Sequence, residues 1–235
     1  MSPFIAELIG TTFLVLLGNG VVANVTLSKT KGNNSGLIVI AIGWAIAVFV
    51  AVFICKSFGH SAQLNPAITI AMASIGKIDR SLVPSYLLGQ LLGAMLGAGI
   101  VWMAYRQHFD VTDDKETQLG VFATSPAIKS PIHNVLTEII GTFVLVFAAL
   151  CITKSDSSLG SIDGIPVSLI VLGIGLSLGG PTGYAINPAR DLGPRIMHFF
   201  LPIKNKGGSN WGYSWVPVMG PIIGAVLAAL LWQQL

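Results

Sequence analysis

The sequence predicts an all-α membrane protein in which six transmembrane helices and two re-entrant half-helices form an inverted 3+3 repeat around a central pore. Three observations lead there. First, charge is scarce: the 235 residues hold 13 basic and 10 acidic side chains, 10% of positions, where a soluble domain would carry roughly a quarter. Second, the charges cluster, leaving charge-free stretches from Leu8 to Ser28, Gly32 to Cys55, Ser81 to Tyr105, Gly164 to Ala189 and Gly207 to Leu235, with Glu138 alone between Lys129 and Lys154. Third, the chain repeats itself. Ala6-Glu7-Leu8-Ile9-Gly10-Thr11 returns as Thr137-Glu138-Ile139-Ile140-Gly141-Thr142, and Leu64-Asn65-Pro66-Ala67 returns as Ile186-Asn187-Pro188-Ala189. The mean hydropathy of +0.76 excludes a disordered chain, and so few Lys and Arg exclude a nucleic-acid partner.

A hydrocarbon core needs about 20 apolar residues per crossing. The charge-free stretches are that long, and six spans are read at Pro3 to Leu27, Gly36 to Phe58, Leu82 to Arg106, Pro131 to Thr153, Ile165 to Leu178 and Tyr213 to Trp232. The first lacks a basic leader and is interrupted by Glu7, so it reads as a retained span. The polar segment 107–130, with Asp110, Asp113, Asp114, Lys115 and Glu116, reads as one long loop between halves 1–106 and 131–235 of a single domain 1–235. An odd number of spans per half turns the second half over in the membrane, which places functional sites at the repeat interface.

Between the second and third spans, and again between the fifth and sixth, uncharged or helix-compatible segments are too short to cross. They read as half-helices starting at Asn65 and Asn187, because Asn is a strong N-cap and Pro is favoured at the first helical position. About 10 residues make about 15 Å of helix, so two meeting tip to tip span a core of roughly 30 Å. Each tip carries about half a positive charge and unsatisfied N–H donors. Two tips facing a narrow wet passage disfavour cations and protons and admit neutral hydroxylic molecules. The non-helical residues Ser61, Ala62 and Gln63, and Gly183, Tyr184 and Ala185, are placed to offer backbone carbonyls to the lumen.

Paired Asn-Pro-Ala motifs within six spans opened by Ala-Glu-x-x-Gly-Thr resemble the aquaporin, or major intrinsic protein, family over nearly the whole chain. The run Gly179-Gly180-Pro181-Thr182-Gly183-Tyr184-Ala185-Ile186-Asn187-Pro188-Ala189-Arg190-Asp191 is similar to the bacterial glycerol-facilitator branch, in which Asp follows the Arg. The resemblance implies pore motifs at Asn65, Pro66, Ala67, Asn187, Pro188 and Ala189, and a selectivity filter of Trp44, Gly175, Tyr184 and Arg190. Gly175 falls where water-selective members place His, and Gln63 stands where this branch usually has His. The link from Trp44 to Asn65 is one residue longer than usual. Two aromatics with an arginine opposite would hold the carbon edge of a polyol on one side and donate to its hydroxyls on the other.

Each assignment has a plainer rival. Trp44 and Tyr184 also suit an interfacial belt or core packing, and Arg190 also suits a structural anchor. For Glu7 and Glu138 a proton relay competes with bracing of the re-entrant loops; bracing is favoured, because intramembrane acids without a basic partner need backbone donors. His60, His108, His133 and His198 read as loop or helix-end residues, with His60 near a pore mouth. Cys55 and Cys151 read as small buried hydrophobes, and Gly89, Gly93 and Gly97 as a close helix contact. The resemblance puts both termini in the cytoplasm, yet the inner loops then hold Lys56, Lys77, Arg80 and Lys154 against nine basic residues outside (Lys29, Lys31, Arg106, Lys115, Lys129, Arg190, Arg195, Lys204, Lys206), the reverse of positive-inside counting.

The expectation is a passive plasma-membrane channel for glycerol and similar small uncharged solutes with water, excluding ions and protons. It would need neither cofactor nor metal, catalyse no reaction, and, as the resemblance implies, form a homotetramer in the lipid bilayer. Within the class, undissociated lactic acid, dihydroxyacetone or urea are rival main solutes, and a strict water channel is disfavoured by Gly175. An ion-coupled secondary transporter, which also shows inverted repeats and broken helices, is the rival from another class.

Overall fold

A computed structural model describes residues 1–154, 162 and 164–235, with the side chains of 153 and 154 excluded. Among the described residues the regular structure is helical, without strands: α1 (Pro3–Thr26), α2 (Leu37–Ser57), α3 (Pro66–Ser74), α4 (Val83–Asp110), α5 (Lys115–Gly120), α6 (Pro131–Lys154), α7 (Gly164–Thr182), α8 (Pro188–Phe200) and α9 (Val216–Gln234). Six of them are long and apolar enough to cross a membrane. The six expected spans are therefore present, with ends shifted by a few residues. The part of the second half at 155–161 and 163, including Asp156 and Asp163, and the side chain of Lys154, lie outside the described residues.

Packing follows the inverted repeat. Helix α1 lies on α4 and α6 on α9, α1 pairs with α2 and α6 with α7, and α2 meets α7 across the middle. Each half-helix packs on the last helix of the opposite half, α3 on α9 and α8 on α4. Glycine makes the closest of these contacts possible. A Cβ on Gly89 would lie 2.5 Å from Phe4 O, one on Gly97 2.6 Å from Thr12 O, and one on Gly93 would strike Leu8 O. In the second half Gly220 meets Glu138 Cβ and Gly224 meets the Ile139 carbonyl in the same way. The expected glycine stripe on the third span is thus a helix contact, where small residues let backbones approach and dispersion replace lipid contact.

Two expectations need correction. The segment 107–130 is not all loop: α4 runs on to Asp110, and α5 forms because the Asp114 carboxylate accepts from the N–H groups of Glu116 (3.3 Å) and Thr117 (3.0 Å), a strong N-cap. Cys55 is buried, whereas Cys151 is exposed on the surface of α6. An apolar run in a membrane helix covers both its protein-facing and its lipid-facing sides, so composition alone does not bury a residue.

Candidate functional site

The two half-helices begin as their caps dictate. Asn65 Oδ1 accepts from Ala67 N (2.9 Å), and Asn187 Oδ1 accepts from Ala189 N (3.0 Å) and Arg190 N (3.3 Å). With each oxygen committed to its own helix, each amide nitrogen must point away, and both point at the opposite half. Asn65 Nδ2 donates to Ile186 O at 2.7 Å, and Asn187 Nδ2 donates to Leu64 O at 2.8 Å. The tips therefore meet, cross-linked by a reciprocal pair of hydrogen bonds, and each amide keeps a second N–H.

The carbonyls that receive these bonds belong to strained residues. Leu64 has φ 56° and Ile186 φ 44°, the left-handed region that a bulky side chain, and β-branched Ile186 above all, enters only under constraint. The constraint comes from the carboxylates. Glu7 accepts from Gln63 N (2.8 Å), Leu64 N (2.6 Å) and Gln90 Nε2 (2.7 Å), and Glu138 accepts from Ala185 N (3.0 Å), Ile186 N (2.8 Å) and Thr182 Oγ1 (2.7 Å). Both acids are fully enclosed by protein. Three residues later, glycine leaves room for the strained side chain: a Cβ on Gly10 would lie 2.6 Å from Leu64 Cδ2, and one on Gly141 3.1 Å from Ile186 Cγ2. Glu-x-x-Gly is thus one device used twice, the acid holding the loop backbone and the glycine accommodating its side chain.

A cavity runs past this junction, lined from both halves by Leu14, Trp44, Val48, Ala62, Gln63, Asn65, Leu145, Val167, Tyr184, Ala185, Asn187 and Arg190, among others. Most of its wall is apolar, and the polar groups lie on the two broken segments. Trp44, Tyr184 and Arg190 come together on one side of the tips. The Arg190 guanidinium sits over the Trp44 ring, 4.3 Å from its centroid, so arginine and aromatic stack on one another and do not face each other across the lumen. Gly175 does not leave empty space: a Cβ there would lie 3.0 Å from Tyr184 Cζ, so the phenol ring fills the room that glycine opens. Of the other expected positions, Ala62, Gln63 and Ala185 line the cavity, whereas Ser61, Pro66, Ala67, Gly175, Gly183, Pro188 and Ala189 stand behind its lining residues. Ser61, Ala62 and Gln63 precede the first tip and Gly183, Tyr184 and Ala185 the second, all non-helical, while Pro66, Ala67, Pro188 and Ala189 form the first turns of α3 and α8.

The family model described as "Major intrinsic protein" matches residues 1–232. The chain belongs to the major intrinsic protein family. The resemblance read from the motifs is therefore correct. This major intrinsic protein is 50% identical over 233 residues to the glycerol uptake facilitator protein of Streptococcus pneumoniae strain R6, covering 99% of each chain. It is also 50% identical over 235 residues to the probable glycerol uptake facilitator protein of Thermotoga maritima, covering 100% of each. Among solved structures, the aquaglyceroporin from Plasmodium falciparum matches with a TM-score of 0.86 at 30% identity, over 99% of this chain and 95% of that one.

Sequence reasoning missed a buried clamp beside Arg190. The Arg195 guanidinium donates to Asp191 Oδ1 (2.8 Å) and Oδ2 (3.0 Å), to Thr124 O (2.9 Å), and to Ser209 O (2.8 Å) and Asn210 O (3.1 Å). Asp191 also accepts from the Thr124 N–H and hydroxyl, both at 2.7 Å. One ion pair on α8 thereby ties down two loops remote in sequence. The i, i+4 spacing of Asp191 and Arg195 on one helix was the available signal. Of the histidines, His198 is fully buried, its Nδ1 2.9 Å from Ser209 Oγ, while His60, His108 and His133 lie nearer the surface.

Proposed function

We propose that this chain is a passive channel for glycerol and similar small uncharged solutes, with water, and that it excludes protons and ions. The reciprocal bonding of Asn65 and Asn187 carries the reading. It sets two helix N-termini against each other beside a cavity lined from both halves, with amide donors left over. Positive potential from both tips and from Arg190 opposes cations. A solute sheds water on entry, at a cost of roughly 2–7 kcal/mol per unsatisfied hydroxyl, and a ladder of amide, guanidinium and carbonyl groups offsets it. The apolar wall of Trp44, Tyr184, Leu14 and Val48 suits the carbon edge of a polyol.

In this reading Trp44, Gly175, Tyr184 and Arg190 form the outer filter, the loop residues 61–63 and 183–185 supply acceptors, and Glu7 and Glu138 brace the loops. The chain acts as a single channel domain of two halves, as a homotetramer in the plasma membrane with both termini in the cytoplasm. The excess of basic residues on the outer face argues against that orientation less strongly than a bare count implies. Arg190 and Arg195 are buried, and Lys206 Nζ is spent on the carbonyls of His198 (2.8 Å), Phe199 (2.6 Å) and Leu201 (2.7 Å) at the end of α8. The relatives named as glycerol uptake facilitators support glycerol as the main solute.

The test is stopped-flow swelling of proteoliposomes in glycerol, dihydroxyacetone, urea, lactic acid at low pH, and water. Glycerol flux is expected to exceed that of protein-free vesicles, to run downhill, and to be indifferent to collapse of proton and sodium gradients. Saturable, gradient-driven uptake would instead identify a coupled transporter, and water flux without glycerol flux a water channel.

A further inference from the structure

Two glycines outside the filter stand directly behind its aromatic side chains. On α1, a Cβ at Gly18 would lie 2.5 Å from Cε3 of Trp44 and would strike Cζ3 and Cη2 as well. On α7, a Cβ at Gly179 would lie 2.7 Å from Cδ1 and 3.1 Å from Cε1 of Tyr184. Gly175, one turn earlier on α7, meets the far end of the same ring at Cζ (3.0 Å) and Cε2 (3.2 Å). The phenol therefore lies along α7 on a shelf of two glycines, and the indole is seated in a notch cut into α1. Both rings are more than nine-tenths buried, and both line the cavity.

Other helical glycines show that such a notch is not a general consequence of glycine in this fold. Gly20 on the same helix as Gly18, and Gly173 on the same helix as Gly179, have open space where a Cβ would stand. Gly89, Gly93, Gly97 and Gly224 face backbone of a neighbouring helix, and their role is packing. Among the described glycines, only Gly18, Gly175 and Gly179 face the rings of Trp44 and Tyr184.

We infer that Gly18 and Gly179 are positioning residues for solute selection: they set how far the Trp44 and Tyr184 rings stand back from the lumen, and so set the width of the constriction from behind. This inference rests on the channel reading given above. The physical step is short. Helix backbone behind each ring cannot retreat without breaking the α1–α2 or α2–α7 packing, whereas the cavity in front of the ring is open. An added methyl is therefore accommodated by the ring moving toward the lumen. Trp44 moves together with the guanidinium stacked on it, so the consequence reaches Arg190 as well. A constriction narrowed by a fraction of a methyl excludes a three-carbon solute before it excludes water.

The experiment is a coupled pair of substitutions read as the ratio of glycerol to water permeability in proteoliposomes of the full chain. Gly18→Ala is expected to lower glycerol permeability roughly tenfold, the scale of a single overpacked methylene, and water permeability by less than about twofold. Gly179→Ala is expected to do the same through Tyr184. Trp44→Phe removes the ring that occupies the notch, so in that background Gly18→Ala should leave the ratio where Trp44→Phe alone puts it. Gly20→Ala and Gly173→Ala should leave both permeabilities unchanged. Wild-type protein that conducts no glycerol would remove the channel reading itself. Wild-type conduction with an unmoved ratio in Gly18→Ala, equal loss of both fluxes, or an effect that persists undiminished without the indole would overturn this inference alone. Should Gly18→Ala fail to fold, its recovery in the Trp44→Phe background decides the matter, and continued failure there counts against the notch.

Discussion

Replacing Glu138 by Gln tests the bracing of the second loop most directly. The carboxylate accepts three hydrogen bonds, from Thr182 Oγ1, Ala185 N and Ile186 N. A carboxamide has one acceptor oxygen, so it can keep the Thr182 and Ala185 bonds made to Oε1 while its NH2 group faces the Ile186 N–H. One charge-assisted bond is lost, about 1.5–3 kcal/mol, and a buried donor is stranded, about 1–3 kcal/mol. Release of Ile186 from its left-handed backbone returns about 1–2 kcal/mol. The central values combine to a net loss of about 3 kcal/mol, which for a chain of this size corresponds to a fall of roughly 6–12 °C in melting temperature. Because the Ile186 carbonyl holds the Asn65 amide, glycerol flux should fall in the protein that remains folded. Thermal unfolding of detergent-purified protein and proteoliposome swelling measure the two effects. A variant that melts within about 2 °C of the parent and conducts normally would refute the bracing argument. Unchanged stability with loss of a proton-dependent component of flux would revive the proton relay.

Gly175→His must displace the Tyr184 ring, 3.0 Å from the new Cβ, so swelling assays should show glycerol flux falling several-fold more than water flux. Arg195→Met strands the Asp191 carboxylate in a site with no exposure, and a loss of about 3–5 kcal/mol is expected, seen as a lower unfolding temperature and as faster proteolysis near Thr124 and Ser209. On the polar loop, the hydroxyl and N–H of Thr117, with the Glu116 N–H, hold the Asp114 carboxyl below the usual carboxylate range. A depressed folded value means that its contribution is present above pH of about 4, the ordinary Asp value, and is lost as pH falls through the folded value. Protection of the α5 amides, measured relative to their intrinsic exchange rates, should therefore fall under acid, more so in the parent than in Asp114→Asn.

The spans, the half-helices and the repeat were legible because each leaves a one-dimensional mark. Charge-free runs mark the crossings, Asn-Pro marks a capped start, and Glu-x-x-Gly marks the brace. The meeting of the tips followed from helix length against membrane thickness. What could not be read depends on residues far apart in the chain. Thr124 and Asp191 are separated by 67 positions, and nothing local announces their contact. Gln90 joins Glu7 from another helix, 83 positions away. The notch at Gly18 looks like any other glycine until the ring of Trp44 is set in it. Cys151 misled because lipid and protein interior select the same apolar side chains. Helix α5 was hidden by its charges, which suit a water-facing turn of helix as well as a loop.

The reciprocal amide bonds have a consequence for how the molecule comes into being. Asn65 finds its acceptor only in the later half of the chain, and Asn187 only in the earlier half, so a nascent protein with three helices inserted carries an unfinished seam. Two separate three-helix chains of opposite orientation could close the same seam between them. Folding of this channel thus ends as an act of dimerisation carried out within one polypeptide.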